Sequence, residues 1–101
     1  MGCGAGTTTL ALARSVGAQG RVVGLDVSAP LLARARERAA AAGLAGRIEW
    51  IEGDAQQHAL PAQHFDLLFS RFGVMFFADP VAAFRNLAAA LRPGARLTFV
   101  C

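Results

Sequence analysis

Short apolar segments alternate with helix-forming segments along the whole chain, and this alternation constrains the fold more than any other feature. The strand-like segments, rich in β-branched and apolar residues, are residues 21–26 (RVVGLD), 47–54 (RIEWIEGD), 65–70 (FDLLFS) and 95–101 (ARLTFVC). Strands that alternate with helices pair in parallel and are covered by those helices. The sequence therefore predicts an α/β fold, a doubly wound parallel sheet with helices on both faces.

Helix start and stop signals divide the segments between these strands. Residues 7–16 form a short apolar helix that ends at the glycines of residues 17–20. Ser28 is predicted to cap the second helix, which Gly43 ends, and Asp79 followed by a proline is predicted to cap the third, which the RPG of residues 92–94 stops. The predicted buried stripes are Leu31, Leu32, Ala35 and Ala39 on the second helix and Val81, Phe84, Leu87, Ala88 and Leu91 on the third.

Composition limits the classes of protein that this chain can belong to. With 101 residues, 54% hydrophobic and 17% charged, residues 1–101 are expected to form one domain. No apolar run approaches the roughly 18 residues of a membrane helix and no signal peptide is recognisable, so we expect a cytoplasmic protein. Cys3 and Cys101 are interpreted as free thiols, with no disulfide and no metal site.

The net charge of +3 does not by itself indicate a nucleic-acid partner. All ten basic residues are arginines and they are spread along the chain. Arg34, Arg36 and Arg38 form the densest group, and with Glu37 among them they are interpreted as the solvated face of a helix. We therefore expect no nucleic-acid and no membrane partner.

A glycine-rich loop opens the chain at the place where a parallel sheet binds its ligand. Ligands of such sheets lie beyond the carboxyl ends of the strands. Gly2, Gly4 and Gly6 are spaced G-x-G-x-G, which lets a ligand approach the backbone, and the helix start that follows favours an anionic group. A dinucleotide fingerprint would need glycine where Thr7 stands, which argues against an NAD-dependent oxidoreductase but leaves it as an alternative.

Two acidic residues follow two of the predicted strands. Asp26 can accept hydrogen bonds from both hydroxyls of a ribose, and we favour this role over that of a turn aspartate that caps the next helix. Asp54 can accept a hydrogen bond from the exocyclic amine of an adenine, although the sequence GDA is also a common turn after a strand.

Taken together, the motifs GCGAG, GLDVS and the segment from EGDAQQHALPAQHFDLLFS to LRPGARLTFV resemble the class I S-adenosylmethionine-dependent methyltransferases, in the branch that methylates small molecules. The resemblance covers nearly the whole chain and implies a Rossmann-like fold, S-adenosyl-L-methionine as cofactor and methyl transfer to a small-molecule acceptor. It implies that the glycine loop wraps the methionine half of the cofactor. The predicted cofactor-binding residues are Gly2, Cys3, Gly4, Ala5, Gly6, Asp26, Val27, Ser28, Asp54, Ala55, Ser70, Arg71 and Phe72.

The resemblance also shows what the chain lacks. Family members have a complete first strand, of which only Met1 remains, and two further strands after the last one found here. The chain is therefore expected to be a fragment of a methyltransferase core, and a non-catalytic remnant is the serious alternative to an enzyme. The resemblance identifies neither the acceptor nor the oligomeric state.

Few residues are candidates for catalysis or for acceptor binding. Methyl transfer from a sulfonium needs orientation and exclusion of water more than a catalytic group. His58 and His64 are the only histidines and are expected to be exposed loop residues, so the catalytic residues are left unassigned. The apolar residues Phe72, Met75, Phe76 and Phe77 are expected to pack in the core in preference to lining an acceptor pocket.

Overall fold

The computed structural model describes residues 1–17, 19–71, 73–74 and 77–100. Cys101 and the residues Phe72, Met75 and Phe76 of the predicted acceptor region lie outside this part. The helices are α1 (Thr7–Ser15), α2 (Ala29–Ala41) and α3 (Pro80–Ala89), and the strands are β1 (Val22–Asp26), β2 (Ile48–Glu52), β3 (Phe65–Arg71) and β4 (Leu91–Val100). A 3₁₀ turn at Ala45–Arg47 precedes β2. Over the described ranges, no helix has the length and apolarity needed to cross a bilayer.

Within the described residues, the four strands form two parallel pairs. β1 pairs with β2 in a regular register from Val22 opposite Ile48 to Asp26 opposite Glu52. β3 pairs with β4, and this register shifts between Phe65 and Leu67. The predicted α/β fold with parallel strands is thus confirmed, and between the strands that the structure describes no direct pairing joins the two halves of the sheet.

Apolar side chains of the strands point to two opposite faces, each covered by helices. On one face Leu10 and Ala13 of α1 pack with Ala39 of α2 and with Ile48, and Trp50 lies against this cluster. On the other face Leu87 of α3 packs with a second cluster, centred on Leu25 and Ala55. Because successive strand residues face opposite ways, this arrangement requires helices on both sides of the strands.

Residues 1–3 connect the two strand pairs. The Met1 nitrogen donates a hydrogen bond of 3.1 Å to the Phe69 carbonyl of β3, and the Cys3 N–H donates one of 3.1 Å to the Leu25 carbonyl of β1. Leu25 and Phe69 lie near the carboxyl ends of their strands, so these ends lie side by side at the glycine loop.

The predicted caps are confirmed. The Ser28 hydroxyl accepts from the Leu31 N–H at 3.3 Å, and the Asp79 carboxylate accepts from the Ala82 N–H at 3.1 Å. Gly17 and Gly43, which follow α1 and α2, adopt left-handed backbone conformations with φ of 75° and 72°. These are the conformations that end helices most cheaply at glycine.

The predicted buried stripes are partly wrong. Leu31 is 43% exposed and Val81 is 65% exposed, while Ala83 and Ala90 are buried beside Leu87. Small side chains let α3 approach the strands closely, and the larger Val81 is turned outward. β3, predicted to be covered on both faces, leaves Leu67 43% exposed because that residue borders a cavity between the strand pairs.

The last strand begins earlier than expected. The RPG sequence was predicted to stop α3 before a strand at residues 95–101, but α3 ends at Ala89 and β4 begins at Leu91. Leu91 pairs with Phe65, and the pairing resumes with Arg96 opposite Leu67. The residues between Leu91 and Arg96 interrupt the regular pairing of β3 with β4. Gly94 lies in this interruption and has φ of 81°, a conformation that glycine adopts without strain.

Candidate functional site

A cavity of about 560 Å³ lies at the carboxyl ends of β1 and β2, beside the glycine loop. We call it the loop cavity. It is lined by Met1, Gly2, Gly4, Leu25, Asp26, Val27, Leu31, Gly53, Asp54, Ala55, Gln56, Gly73 and Phe77. Six of the predicted site residues, Gly2, Gly4, Asp26, Val27, Asp54 and Ala55, are therefore brought together here.

The glycine loop has backbone conformations that other residues rarely adopt. Gly2, Gly4 and Gly6 have φ of 64°, 51° and 91°. A side-chain carbon at Gly2 would lie 3.1 Å from the Gly73 Cα. The backbones of the loop and of the segment after β3 are therefore too close here for a side chain to fit between them. The G-x-G-x-G spacing is explained by these conformations and by this close approach.

The Asp26 carboxylate holds the loop against the start of α2. One oxygen accepts from the Gly4 N–H at 2.7 Å, and the other accepts from the Ser28 N–H at 2.9 Å. The bond from Ser28 is the turn interaction that we considered as the alternative role of Asp26. Nothing in the sequence indicated the bond from Gly4. A carboxylate offers about four acceptor positions, so both oxygens retain capacity for a ligand.

Arg38 supports the loop from α2, which corrects its interpretation as part of a solvated face. Its guanidinium donates to the Ala5 carbonyl at 2.9 Å and to the Thr7 hydroxyl at 3.1 Å. Arg34 and Arg36 are exposed as expected. The sequence did not indicate this role of Arg38, because Ala5 and Thr7 lie more than 30 residues away along the chain. The position of an arginine on a helix does not reveal a contact with so distant a segment.

Asp54 is connected to α3 through Gln56. The Asp54 carboxylate accepts from the Gln56 N–H at 2.9 Å and from the Gln56 side-chain amide at 3.2 and 3.3 Å. The amide oxygen of Gln56 in turn accepts from the Asp79 N–H at 2.7 Å. The orientation of the carboxylate is thus coupled to the first turn of α3.

A side chain of α3 also holds the segment that follows β2. The Asn86 side-chain amide donates to the Ala55 carbonyl at 2.8 Å and to the His58 carbonyl at 2.9 Å. One amide group therefore fixes two backbone carbonyls of the Asp54 turn. The sequence identified neither Gln56 nor Asn86 as site residues, because each acts on backbone and carboxylate groups that only the fold brings close.

The remaining predicted site residues that the structure describes do not line the loop cavity, and Phe72 lies outside the described part of the chain. Cys3, Ala5 and Arg71 line the cavity between the strand pairs instead. Gly6 is buried, and a side-chain carbon there would lie 3.0 Å from both Ala35 and Trp50. Ser28 is engaged as a helix cap, and Ser70 is 1% exposed with its hydroxyl near Met1 and Gly73.

Cys3 is a neutral thiol at physiological pH. Burial raises the pKa of its thiol to about 11, and the positive amino terminus opposes this shift while Asp26 adds to it. A thiol must ionise to act as a nucleophile. Cys3 is therefore a small, weakly polar residue between the loop and β1.

The other candidates for chemistry lie away from the loop cavity or serve the core. His58 is half-buried with its ring against Gly53, and His64 is exposed and contacts Phe65 edge-on at 5.0 Å between ring centroids. Phe77 packs against the core cluster of Leu25 and Leu87 and also lines the loop cavity. Its core role is confirmed, and it forms part of the cavity wall as well.

The sequence matches a protein-family model and is similar to several proteins of known name. A family model described as "Methyltransferase domain" matches residues 1–94. The 2-phytyl-1,4-naphtoquinone methyltransferase of Synechococcus elongatus is 38% identical over 94 residues, which are 93% of this chain and 40% of that protein. The demethylmenaquinone methyltransferase of Lactiplantibacillus plantarum is 37% identical over 94% of this chain and 40% of its own length.

A solved structure agrees with these relatives. An S-adenosylmethionine-dependent methyltransferase from Mesorhizobium loti superimposes with a TM-score of 0.82 and 37% identity, over 97% of this chain and 43% of that one. The chain thus spans about 40% of the length of the curated relatives described above.

Proposed function

Since this chain belongs to the methyltransferase domain family, whose cofactor is S-adenosylmethionine, we propose that it binds this cofactor in the loop cavity. The bound group would supply an electrophilic methyl group for transfer to a small-molecule acceptor. Residues 1–101 would form part of the cofactor-binding domain of such an enzyme.

The observation that carries this proposal is the convergence of backbone glycines and two carboxylates on one cavity. Gly2, Gly4, Asp26 and Asp54 come from three separate segments of the chain and all line the loop cavity. A volume of about 560 Å³ lies within the range of roughly 300–1,000 Å³ usual for sites of small ligands. A cofactor with a polar amino-acid part, a ribose and a base needs this combination of groups.

Individual contacts follow from the donor and acceptor capacity of the lining groups. Asp26 keeps acceptor positions for ribose hydroxyls after its two backbone bonds. Val27 is 67% exposed and Leu31 is 43% exposed, although both are apolar. Their exposure at the cavity is accounted for if they pack against the flat face of the adenine, with Asp54 accepting from its amine.

The remaining residues would orient the cofactor and keep water out. Arg38 and Asp26 fix the loop from two sides, and Gln56 and Asn86 fix the turn at Asp54. Such positioning is a large part of what a methyl transfer requires, because the leaving group is already good. Phe77 and the backbone of Gly73 form the wall beside which an acceptor would lie.

A quinone-type acceptor is the substrate class that the relatives favour, since the two described above are named for 2-phytyl-1,4-naphtoquinone and demethylmenaquinone. The predicted binding of the cofactor by Ser70 and Arg71, and the cytoplasmic location, stay predictions.

Titration calorimetry with S-adenosylhomocysteine tests the proposal. We expect saturable binding that S-adenosylmethionine competes with and NADH does not. Asp54→Asn keeps the size of the side chain but replaces one acceptor oxygen by a donor, so we expect binding at least ~10-fold weaker, or ~1.4 kcal/mol. Glu37→Gln, on the exposed face of α2, makes the same chemical change away from the cavity and should leave the affinity unchanged.

Two results would contradict the proposal. One is displacement of the ligand by NADH at concentrations where S-adenosylmethionine fails, which would favour a dinucleotide site. The other is equal affinity of the Asp54→Asn and Glu37→Gln variants, which would exclude the loop cavity as the adenine site.

A further inference from the structure

The side chain of Gln56 lies between the Asp54 carboxylate and the start of α3, and it lines the loop cavity. Its amide oxygen accepts from the Asp79 N–H at 2.7 Å. Because a backbone N–H only donates, the amide nitrogen of Gln56 must face the other way. That nitrogen lies 3.2 and 3.3 Å from the two oxygens of the Asp54 carboxylate. The start of α3 thus fixes which end of the amide faces Asp54.

The two oxygens of the Asp54 carboxylate are unequally engaged by Gln56. Its backbone N–H and its side-chain nitrogen both donate to Oδ1, at 2.9 and 3.3 Å, whereas the side-chain nitrogen alone donates to Oδ2, at 3.2 Å. Each carboxylate oxygen has about two acceptor positions, so Oδ2 retains the larger capacity for a donor of the ligand. Asp54 lines the loop cavity, where such a donor would lie.

The backbone of the Asp54 turn is held separately from its carboxylate. The Asn86 amide bonds the Ala55 and His58 carbonyls, and Ala55 is buried in the core. Loss of the Gln56 side chain would therefore release the carboxylate but leave the turn in place. The side chain of Gln56 is thus placed to control the orientation of one functional group.

Orientation of this carboxylate bears on which purine the cavity accepts. An ionised carboxylate only accepts hydrogen bonds, so it attracts an amino group and repels a carbonyl oxygen at the same position of the base. A carboxylate that is held before the ligand arrives also loses less conformational freedom on binding. Both effects depend on the carboxylate keeping one orientation.

We propose that Gln56 is a positioning residue that makes the loop cavity selective for a 6-aminopurine over a 6-oxopurine, by holding the Asp54 carboxylate against the start of α3. The inference rests on the proposed function, because it takes the adenine of the cofactor to lie at Asp54. Gln56 acts through Asp54, and α3 in turn holds Gln56 through the Asp79 N–H.

Titration calorimetry with three ligands tests this role. They are S-adenosylhomocysteine, its 6-oxo analogue S-inosylhomocysteine, and the analogue with hydrogen at position 6 of the purine. The wild-type chain should bind S-adenosylhomocysteine at least ~10-fold more tightly than either analogue, since both leave the carboxylate without its donor.

Gln56→Met keeps the length of the side chain and removes both hydrogen-bonding groups. We expect it to bind S-adenosylhomocysteine ~5-fold more weakly and the 6-hydrogen analogue as the wild type does, so that the preference shrinks. Gln56→Glu cannot donate to Asp54 and repels it, so it should reduce the preference at least as much. Gln57→Glu makes the same change at the exposed neighbouring residue and should bind all three ligands as the wild type does.

Hydrogen exchange of the Asp79 amide tests the link to α3 without any ligand. Exchange should be faster in Gln56→Met than in the wild type, because the amide loses its acceptor. Gln56→Glu keeps an acceptor oxygen and should retain the protection. Equal exchange in Gln56→Met and the wild type would overturn the link.

Circular dichroism verifies that the variants fold. An undiminished preference in both Gln56 variants would overturn the proposal, as would an equal loss of affinity for all three ligands, which a merely structural role would produce. Neither result contradicts the proposed function, since the wild-type chain still binds S-adenosylhomocysteine. A wild-type chain that binds none of the three ligands, or that releases them to NADH, would contradict the proposed function and this inference together.

Discussion

At residue 6 a left-handed backbone coincides with a lack of space. Gly6 has φ of 91°, and a side-chain carbon would come within 3.0 Å of both Ala35 and Trp50. Gly43, after α2, has a similar φ of 72° but no atom within 4 Å of the corresponding position. The two glycines therefore separate the cost of backbone strain from the cost of crowding.

We predict that Gly6→Ala lowers the free energy of unfolding more than Gly43→Ala does. Strain at a left-handed position costs ~1 kcal/mol or more, and overpacking adds a further ~1–3 kcal/mol only at Gly6. Urea denaturation of the two variants measures the difference. Equal destabilisation would show that α2 and Trp50 move away from the loop without cost, contrary to the packing described above.

The raised pKa of Cys3 makes the free energy of unfolding depend on pH in the alkaline range. The thiol has a pKa of about 11 in the folded chain against an ordinary value of 9.0, so the folded state holds the proton more tightly. This contribution is complete below pH 9 and is lost as pH rises towards 11. In a Cys101→Ser background, ultraviolet absorbance of the thiolate should titrate near 11 in the folded chain, and Cys3→Ala should remove the corresponding fall in stability. A thiolate that forms near pH 9 in the folded chain would contradict the burial of Cys3.

At the scale of elements, α2 supports the loop through one side chain. Arg38 in the last turn of α2 bonds the Ala5 carbonyl and the Thr7 hydroxyl. We predict that Arg38→Ala weakens S-adenosylhomocysteine binding ~5-fold. This loss of affinity should be larger than the loss that destabilisation of α2 alone would cause. Arg36→Ala removes an exposed arginine of the same helix and should leave the affinity for S-adenosylhomocysteine unchanged.

The lysine variant separates positioning from charge. Arg38→Lys keeps the positive charge near the carboxyl end of α2, which favours the helix, but has a single donor group in place of the planar fork. Calorimetry should give an affinity between those of wild type and Arg38→Ala. Full affinity in Arg38→Ala would contradict a role for Arg38 in the loop.

Element positions were more predictable than the faces they bury. β1 and β2 begin and end within about two residues of the sequence expectation, because apolar and β-branched runs mark strands directly. The predicted stripe of α3 was right at Leu87 but wrong at Val81, because the sequence pattern favours burial of the larger apolar side chain, whereas close packing against the strands buries the small Ala83 instead. The supports from Arg38, Gln56 and Asn86 depend on contacts distant in sequence, which periodicity does not encode.

At the scale of the whole molecule, the loop cavity and the cavity between the strand pairs meet at residues 1–3. Met1 and Gly2 line both cavities, and Cys3 lines the cavity between the strand pairs. The segment that begins the glycine loop is thus also the segment that joins the two strand pairs, through the hydrogen bonds from Met1 to Phe69 and from Cys3 to Leu25.

Amide chemical-shift mapping with S-adenosylhomocysteine bears most directly on the cofactor site, because it locates the ligand on the chain. We expect the largest shifts at the loop cavity, on Gly2, Gly4, Asp54 and Ala55, and small changes at residues of the cavity between the strand pairs such as Val16, Arg21 and Gly46. Shifts concentrated along the cavity between the strand pairs, or saturating binding that leaves Gly4 and Asp54 unchanged, would contradict the loop cavity as the cofactor site.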